Sequence, residues 1–160
     1  DDRRSLQQLE IMAEELMRNK DISLTYSECL ITNNENETYL ENTSMGQTYP
    51  SQEFSNENMI KCLPGPMPLW RRTMHDSAGD FDPSYKFAGD WELWLRAVKT
   101  GSKFKKVSGA YGLYHNNPQG LTTDVSRREQ KFSEEKKVFL ENSDIFGEEV
   151  CNQYKGYFSQ

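Results

Sequence analysis

Gly89-Asp90-Trp91-Glu92-Leu93-Trp94-Leu95-Arg96, continued by Ala97-Val98-Lys99-Thr100-Gly101, is the stretch on which the fold turns. Trp91, Trp94, Leu95 and Val98 recur at i, i+3, i+4 and i+7, the spacing of one face of an α-helix. The pattern predicts a helix over residues 90–100, with Asp90 at its N-cap and Gly101 at the C′ position, where helices commonly end in a left-handed glycine. Glu92 and Arg96 are i, i+4 partners and are expected to form a supporting ion pair rather than to carry chemistry. Asp90 has two readings. A helix cap explains it, yet an Asp fixed at a helix start beside Gly89 and two tryptophans is also suited to act as a general base facing a cleft.

Outward from this helix, residues 103–114 alternate apolar and polar as a strand does. Near the other end of the chain, Leu6, Leu9, Met12, Ala13, Leu16 and Met17 predict an amphipathic helix over residues 5–19, capped by Asp1, Asp2 or Ser5. Residues 22–32 (ISLTYSECLIT) follow as a half-buried strand. Helix followed by strand, twice, is the signature of an α/β fold. Between them, residues 33–58 are polar and read as a long surface loop or a short hairpin, either a functional lid or binding loop or a variable excursion, ending in a brief helix over 55–62. The prolines and glycine of Leu63-Pro64-Gly65-Pro66-Met67-Pro68 exclude a regular element. A short strand at 69–72 enters a helix through Met74, and Gly79-Asp80-Phe81-Asp82-Pro83 is read as a turn with one buried aromatic. Residues 126–141 predict a charged helix carrying Phe132, Val138, Phe139 and Leu140, and 145–157 a last helix.

The 160 residues are one domain's worth, 35% hydrophobic and 28% charged, so the core is expected to be lean and dominated by aromatics. A net charge of −6 argues against nonspecific binding to nucleic acid or anionic lipid. No apolar run has the length of a membrane span. Cys29, Cys62 and Cys151 are dispersed and odd in number, which fits free thiols in a reducing, cytoplasmic compartment better than a disulfide framework or a zinc site. Peripheral association with a membrane stays open. So does pairing with a second copy to cover an exposed sheet edge.

Two further constellations bear on chemistry. Asp1-Asp2 are adjacent carboxylates able to hold a hard divalent cation, or simply a cap and dipole partner for the helix that follows. His115, in Tyr114-His115-Asn116-Asn117-Pro118, stands where a strand leaves the sheet, the place where α/β ligands gather, and is a candidate metal or phosphate ligand against the alternative of an ordinary surface histidine. His75 lacks such a context and is read as structural or exposed.

Taken in order, Asp1-Asp2-Arg3-Arg4 with Leu9-Glu10, Ala78-Gly79-Asp80-Phe81-Asp82-Pro83, Ala88-Gly89-Asp90 and Glu92-Leu93-Trp94-Leu95-Arg96 resemble the motif series of family 2 glycosyltransferases of the GT-A fold. The resemblance covers residues 1–123 and leaves 124–160 as a helical extension. It implies a partial GT-A fold, a Rossmann-like mixed sheet flanked by helices. It further implies Asp2 as ligand to Mg²⁺ or Mn²⁺, Asp1 as a contact to the ribose or a second hold on the metal, Asp90 as catalytic base and His115 near the metal or diphosphate. Gly65, Met67 and Trp70 would line an acceptor pocket, together with Gly89 and Trp91.

The reaction implied is inverting transfer from a nucleotide-diphosphate sugar to the hydroxyl of a carbohydrate or other acceptor, in the service of polysaccharide biosynthesis. The family's nucleotide-binding half would precede Asp1, so residues 1–160 alone are expected not to turn over. The rival readings are a non-catalytic carbohydrate- or protein-binding module, and a nucleotidyltransferase.

Overall fold

The structure, a computed structural model, describes residues 2–159 apart from 45, 50 and 122. Its axis is β2 (Ile22–Thr32), the strand expected from ISLTYSECLIT. β2 runs parallel to β5 (Lys103–His115), from Ile22 opposite Lys103 to Thr32 opposite His115. β1 (Arg3–Arg4) adds antiparallel to the far edge of β5, with Arg3 opposite Leu113. The outer edge of β2 is shared. β4 (Leu69–Trp70) pairs antiparallel near its start, Leu24 opposite Trp70, and β3 (Thr48–Tyr49) further along, Cys29 opposite Tyr49. The result is a mixed, open sheet flanked by helices.

The β2–β5 register is interrupted. Tyr26 faces Lys106 but Glu28 faces Ala110, so β5 carries extra residues there. Gly109, at φ 109°, takes the left-handed turn that this bulge needs. Three residues on, a Cβ at Gly112 would lie 2.8 Å from the Cys29 sulfur and closer still to the Met67 methyl, so glycine is what lets the proline-rich segment lie flat on the sheet.

Alternation along β2 divides two layers. Thr25 points to α1 (Gln8–Arg18) and donates its hydroxyl to the Met12 carbonyl at 3.3 Å, over the buried Met12 and Leu16. Leu24, Tyr26 and Phe104 face the other way, into a cluster with α2 (Met74–Ala78) and α3 (Gly89–Lys99). The expected helix at 90–100 is α3, and Gly101 ends it at φ 92°. α4 (Arg128–Glu141) and α5 (Glu148–Phe158) bury Val138, Phe139, Cys151 and Phe158 in the same cluster. Phe139 stacks on Phe146 at 5.8 Å and on Phe158 at 4.7 Å. Full burial of each such ring stabilises by about 1.5–3 kcal/mol, so an aromatic core makes up for the low apolar content. No helix of the described residues is long and apolar enough to cross a membrane.

Several local expectations are corrected. α1 starts at Gln8 after an uncapped Gln7, because Arg3 and Arg4 are drawn into the sheet and the Ser5 N–H bonds to the Tyr111 carbonyl. Neither Asp2 nor Ser5 therefore caps it. Asp90 is not the N-cap of α3 either: Gly89 is the first helical residue and Ala88 precedes it. The Glu134 carboxylate of α4 accepts the N–H groups of Lys86, Phe87 and Ala88 at 2.9, 2.7 and 3.2 Å, and so orders the approach to the helix in place of a local cap. Phe81 is 47% exposed rather than buried, and Leu140 is exposed.

The long loop after β2 is ordered by Glu37. Its carboxylate accepts from Asn34 and Asn42 side chains at 3.2 and 3.0 Å and from the Thr43 N–H at 3.2 Å. With the Thr32 hydroxyl as the largest influence, followed by Asn34, Asn42 and Thr43, these bonds hold the carboxyl down to about 2. The folded value lies below the unfolded one, so the loop's stabilisation is present above the ordinary glutamate range and is lost as pH falls towards 2. A carbon-detected NMR titration is expected to place the Glu37 midpoint well below those of the exposed glutamates; a midpoint in the ordinary range would mean that this hydrogen-bond cage does not form.

Candidate functional site

Near the carboxyl end of β5, which runs parallel to β2, Tyr114 lines a cleft of about 600 Å³. Crevices at the carboxyl ends of parallel strands are where open α/β sheets bind ligands. Asp90, in the first turn of α3, lines this cleft together with Tyr49 of β3, Tyr114 of β5 and Cys62. The carboxylate is exposed but oriented: Oδ1 accepts the Trp91 N–H at 2.7 Å, and the Cys62 thiol donates to Oδ2 at 3.5 Å. Burial, and then the Asp90 charge, push the Cys62 thiol well above its usual value, so Cys62 acts as a neutral donor and not as a nucleophile. The Tyr49 phenol is raised as well, first by burial. Its ring lies 5.3 Å from that of Tyr114.

The opposite wall comes from the C-terminal helices, through Lys131 and Glu135 of α4 and Tyr154 and Tyr157 of α5. Sequence reasoning misses this wall, and it also misses Tyr49, Cys62 and Tyr114. All of them reach Asp90 from distant elements, and no local pattern marks them. The three cysteines are free thiols, as expected.

Asp2 stands immediately before β1, where its Oδ1 accepts the His115 backbone N–H at 2.9 Å. This contact brings two of the three predicted metal-site residues together, although the link is to the histidine main chain. The His115 side chain lines an adjoining polar cleft of about 400 Å³ with Arg3, Glu35 and Asn117. Asp1 lies outside the described residues. Among the described residues no group of three or more His, Cys, Asp or Glu side chains is arranged to hold a metal ion. Asp2 Oδ1 is engaged by the His115 N–H, so a hard cation bound at this carboxylate would be held chiefly through its other oxygen and would need further oxygen ligands from outside the described side chains.

The other predicted residues are distributed differently. Trp91 reaches the cleft but is mostly core, its indole donating to the Met59 carbonyl at 2.7 Å. Gly89 precedes Asp90 and packs near Tyr85, and Gly65 abuts the Tyr49 ring. Met67 and Trp70 do not line this cleft. Met67 is buried against Gly112. Trp70 packs edge-on to Trp94 at 5.1 Å and donates to His75 Nε2 at 2.9 Å. His75 is structural, as expected. Because Nε2 accepts from an indole, its proton sits on Nδ1 and goes to the Gly79 carbonyl at 2.8 Å.

Glu92 and Arg96 form the expected pair, with Nε to Oε1 at 2.8 Å and Nη2 to Oε2 at 2.7 Å. Arg96 also donates to the carbonyls of Ala78 and, at 2.9 Å, Asp80, which fastens the 79–82 turn to α3. No protein-family model matches this chain, and no curated protein matches it.

Proposed function

We propose that this chain is the acceptor-side part of a metal-dependent, inverting glycosyltransferase with a GT-A-type sheet, acting on a nucleotide-diphosphate sugar. One observation carries the reading: an exposed but doubly held Asp90 carboxylate faces a cleft that Tyr114, near the carboxyl end of β5, also lines, and Asp2 holds the N–H of the next residue, His115. Such an arrangement suits a base on the acceptor side and an anion-tolerant site on the donor side. The free thiols fit work in the cytoplasm.

Asp90 accepts the proton of an acceptor hydroxyl as that oxygen attacks the anomeric carbon. The bond from the anomeric carbon to the diphosphate oxygen breaks in the same step, and the nucleoside diphosphate leaves. One displacement inverts the anomeric configuration. Mg²⁺ or Mn²⁺, with Asp2 as its candidate ligand and Asp1 and His115 as further candidates, would supply charge neutralisation to the departing diphosphate when bound. The Trp91 N–H and the Cys62 thiol fix the carboxylate so that little reorientation is needed.

The test uses the purified full-length protein with Mg²⁺, a panel of uridine, guanosine and thymidine diphosphate sugars, and sugar acceptors. Acceptor-dependent release of nucleoside diphosphate, with a new linkage of inverted configuration by NMR, is expected. Release of pyrophosphate instead would assign nucleotidyl transfer, and a retained configuration would exclude a single displacement.

A further inference from the structure

The Asp90 cleft is asymmetric in a way that its catalytic residue does not explain. One side is lined by Tyr49, Tyr114, the 60–62 segment and the start of α3, while the C-terminal helices contribute Lys131, Glu135, Tyr154 and Tyr157. Tyr157, at 53% exposed, is among the most open large rings of the molecule. It does not hang free: its ring stands edge-on to Phe158 at 4.9 Å and to Phe132 at 5.4 Å, so it is a held aromatic surface at the cleft. Tyr154 lies on the same wall, one helical turn before it. A rigid aromatic with one face wet is suited to a ligand that is flat and apolar on one side and polar at its rim.

The charges lining the cleft sharpen the class of that ligand. Lys61, Asp90, Lys131 and Glu135 balance to zero, and Lys131 Nζ is 3.8 Å from Glu135 Oε1. A phosphorylated or carboxylated ligand would call for an excess of cations. A balanced acid–base pair beside aromatic rings instead offers donors and acceptors to neutral hydroxyls, the usual plan of a pocket with apolar walls and a few polar anchors. Burial raises the Glu135 carboxyl, in keeping with a partly desolvated position in the wall.

We propose that α4 and α5 form the acceptor-recognition wall of the Asp90 cleft, and that the acceptor is a neutral pyranose stacked on Tyr157 and Tyr154 with its hydroxyls read by Lys131 and Glu135. This rests on the reading of Asp90 as the base that activates an acceptor hydroxyl. The C-terminal helices thereby choose the substrate, although they contribute no group to the bond-making step.

Saturation-transfer NMR on the full-length protein tests it, with methyl gluco-, galacto- and mannopyranosides as probes and glucose 6-phosphate and glycerol 3-phosphate as anionic controls. At least one neutral pyranoside is expected to receive saturation, strongest at the ring C–H protons of one face. Tyr157→Ala is expected to lower that signal about fivefold, the effect of losing one stacking partner. Tyr157→Phe keeps the ring and the signal, and Asp90→Asn keeps the signal while lowering transfer by about a hundredfold or more. Should Tyr157→Ala fail to fold by circular dichroism, Lys131→Met, at a half-buried position of the wall, is expected to lower the signal without unfolding. No saturation of any neutral pyranoside, wild-type signal in folded Tyr157→Ala or in Lys131→Met, or preference for the anions would overturn the proposal. Pyranoside binding that depends on Tyr157, with no nucleoside diphosphate released from any donor, would instead remove the transferase reading and leave a carbohydrate-binding site.

Discussion

Replacing Asp90 with asparagine is expected to lower kcat for sugar transfer by about a hundredfold to ten-thousandfold, with the KM for donor and acceptor little changed. The substitution is close to isosteric. The asparagine amide would be a poor base, but its oxygen can still accept the Trp91 N–H that Oδ1 accepts now at 2.7 Å. Cys62 lies 3.5 Å from Oδ2 and would meet an amide nitrogen, a small change for a weak donor. Asp90 is exposed at the start of α3, and asparagine can keep the bond to the Trp91 N–H, so the melting temperature should stay near that of the wild type. A large fall in kcat with an unchanged melt isolates proton transfer from folding. Near-wild-type transfer by Asp90→Asn would mean that the base lies elsewhere in the cleft.

The largest effect on stability is expected from Arg96→Ala, a loss of about 2–4 kcal/mol. This corresponds to about 5–12 °C in Tm for a chain of this size. The guanidinium spreads its donors over the Glu92 carboxylate and the carbonyls of Ala78 and Asp80. Its removal strands a glutamate whose side chain is only 14% exposed, and releases the turn that leads from α2 towards α3. A lysine in its place would restore the charge but not the planar fork, so Arg96→Lys should recover only part of the loss. Thermal unfolding followed by circular dichroism reads both variants. A shift within about 1 °C for Arg96→Ala would show that solvent replaces these bonds without penalty.

What is legible in the sequence follows from how local each signal is. The stripe of Trp91, Trp94, Leu95 and Val98 and the glycine at 101 set α3 almost to the residue, because helix periodicity and C-terminal capping act within a few positions. The strand over 22–32 matches β2 for the same reason. The two-residue strands β1 and β3 carry no periodicity of their own; they exist because β5 and β2 offer edges to pair with. The same limit makes Asp90 look like a cap. The group that orders the chain before α3 belongs to Glu134, a side chain on another helix that no window around Asp90 contains. Of the candidate site, Asp90, Trp91, Asp2 and His115 can be picked out from the chain order, whereas Tyr49, Cys62, Tyr114 and the α4–α5 wall cannot, since only the tertiary fold gathers them. Met67 and Trp70 illustrate the converse. Each lies in a suggestive stretch, but one fills the space over Gly112 and the other joins the Trp94–His75 stack.

The parallel pairing of β2 with β5 also sets the order in which the molecule can assemble. During synthesis β2 leaves the ribosome long before its partner, because the chain must run through both short strands, α2 and α3 before Lys103 appears opposite Ile22. Only the edge of β2 taken by β3 and β4 can be satisfied early; the other stays open until β5 is complete. Long-range parallel pairing of this kind slows folding, since the closure of a long loop precedes any contact that compensates for it. The nascent chain therefore carries an open strand edge from the emergence of β2 until β5 is complete, and this interval exposes it to aggregation in a way that the finished fold does not.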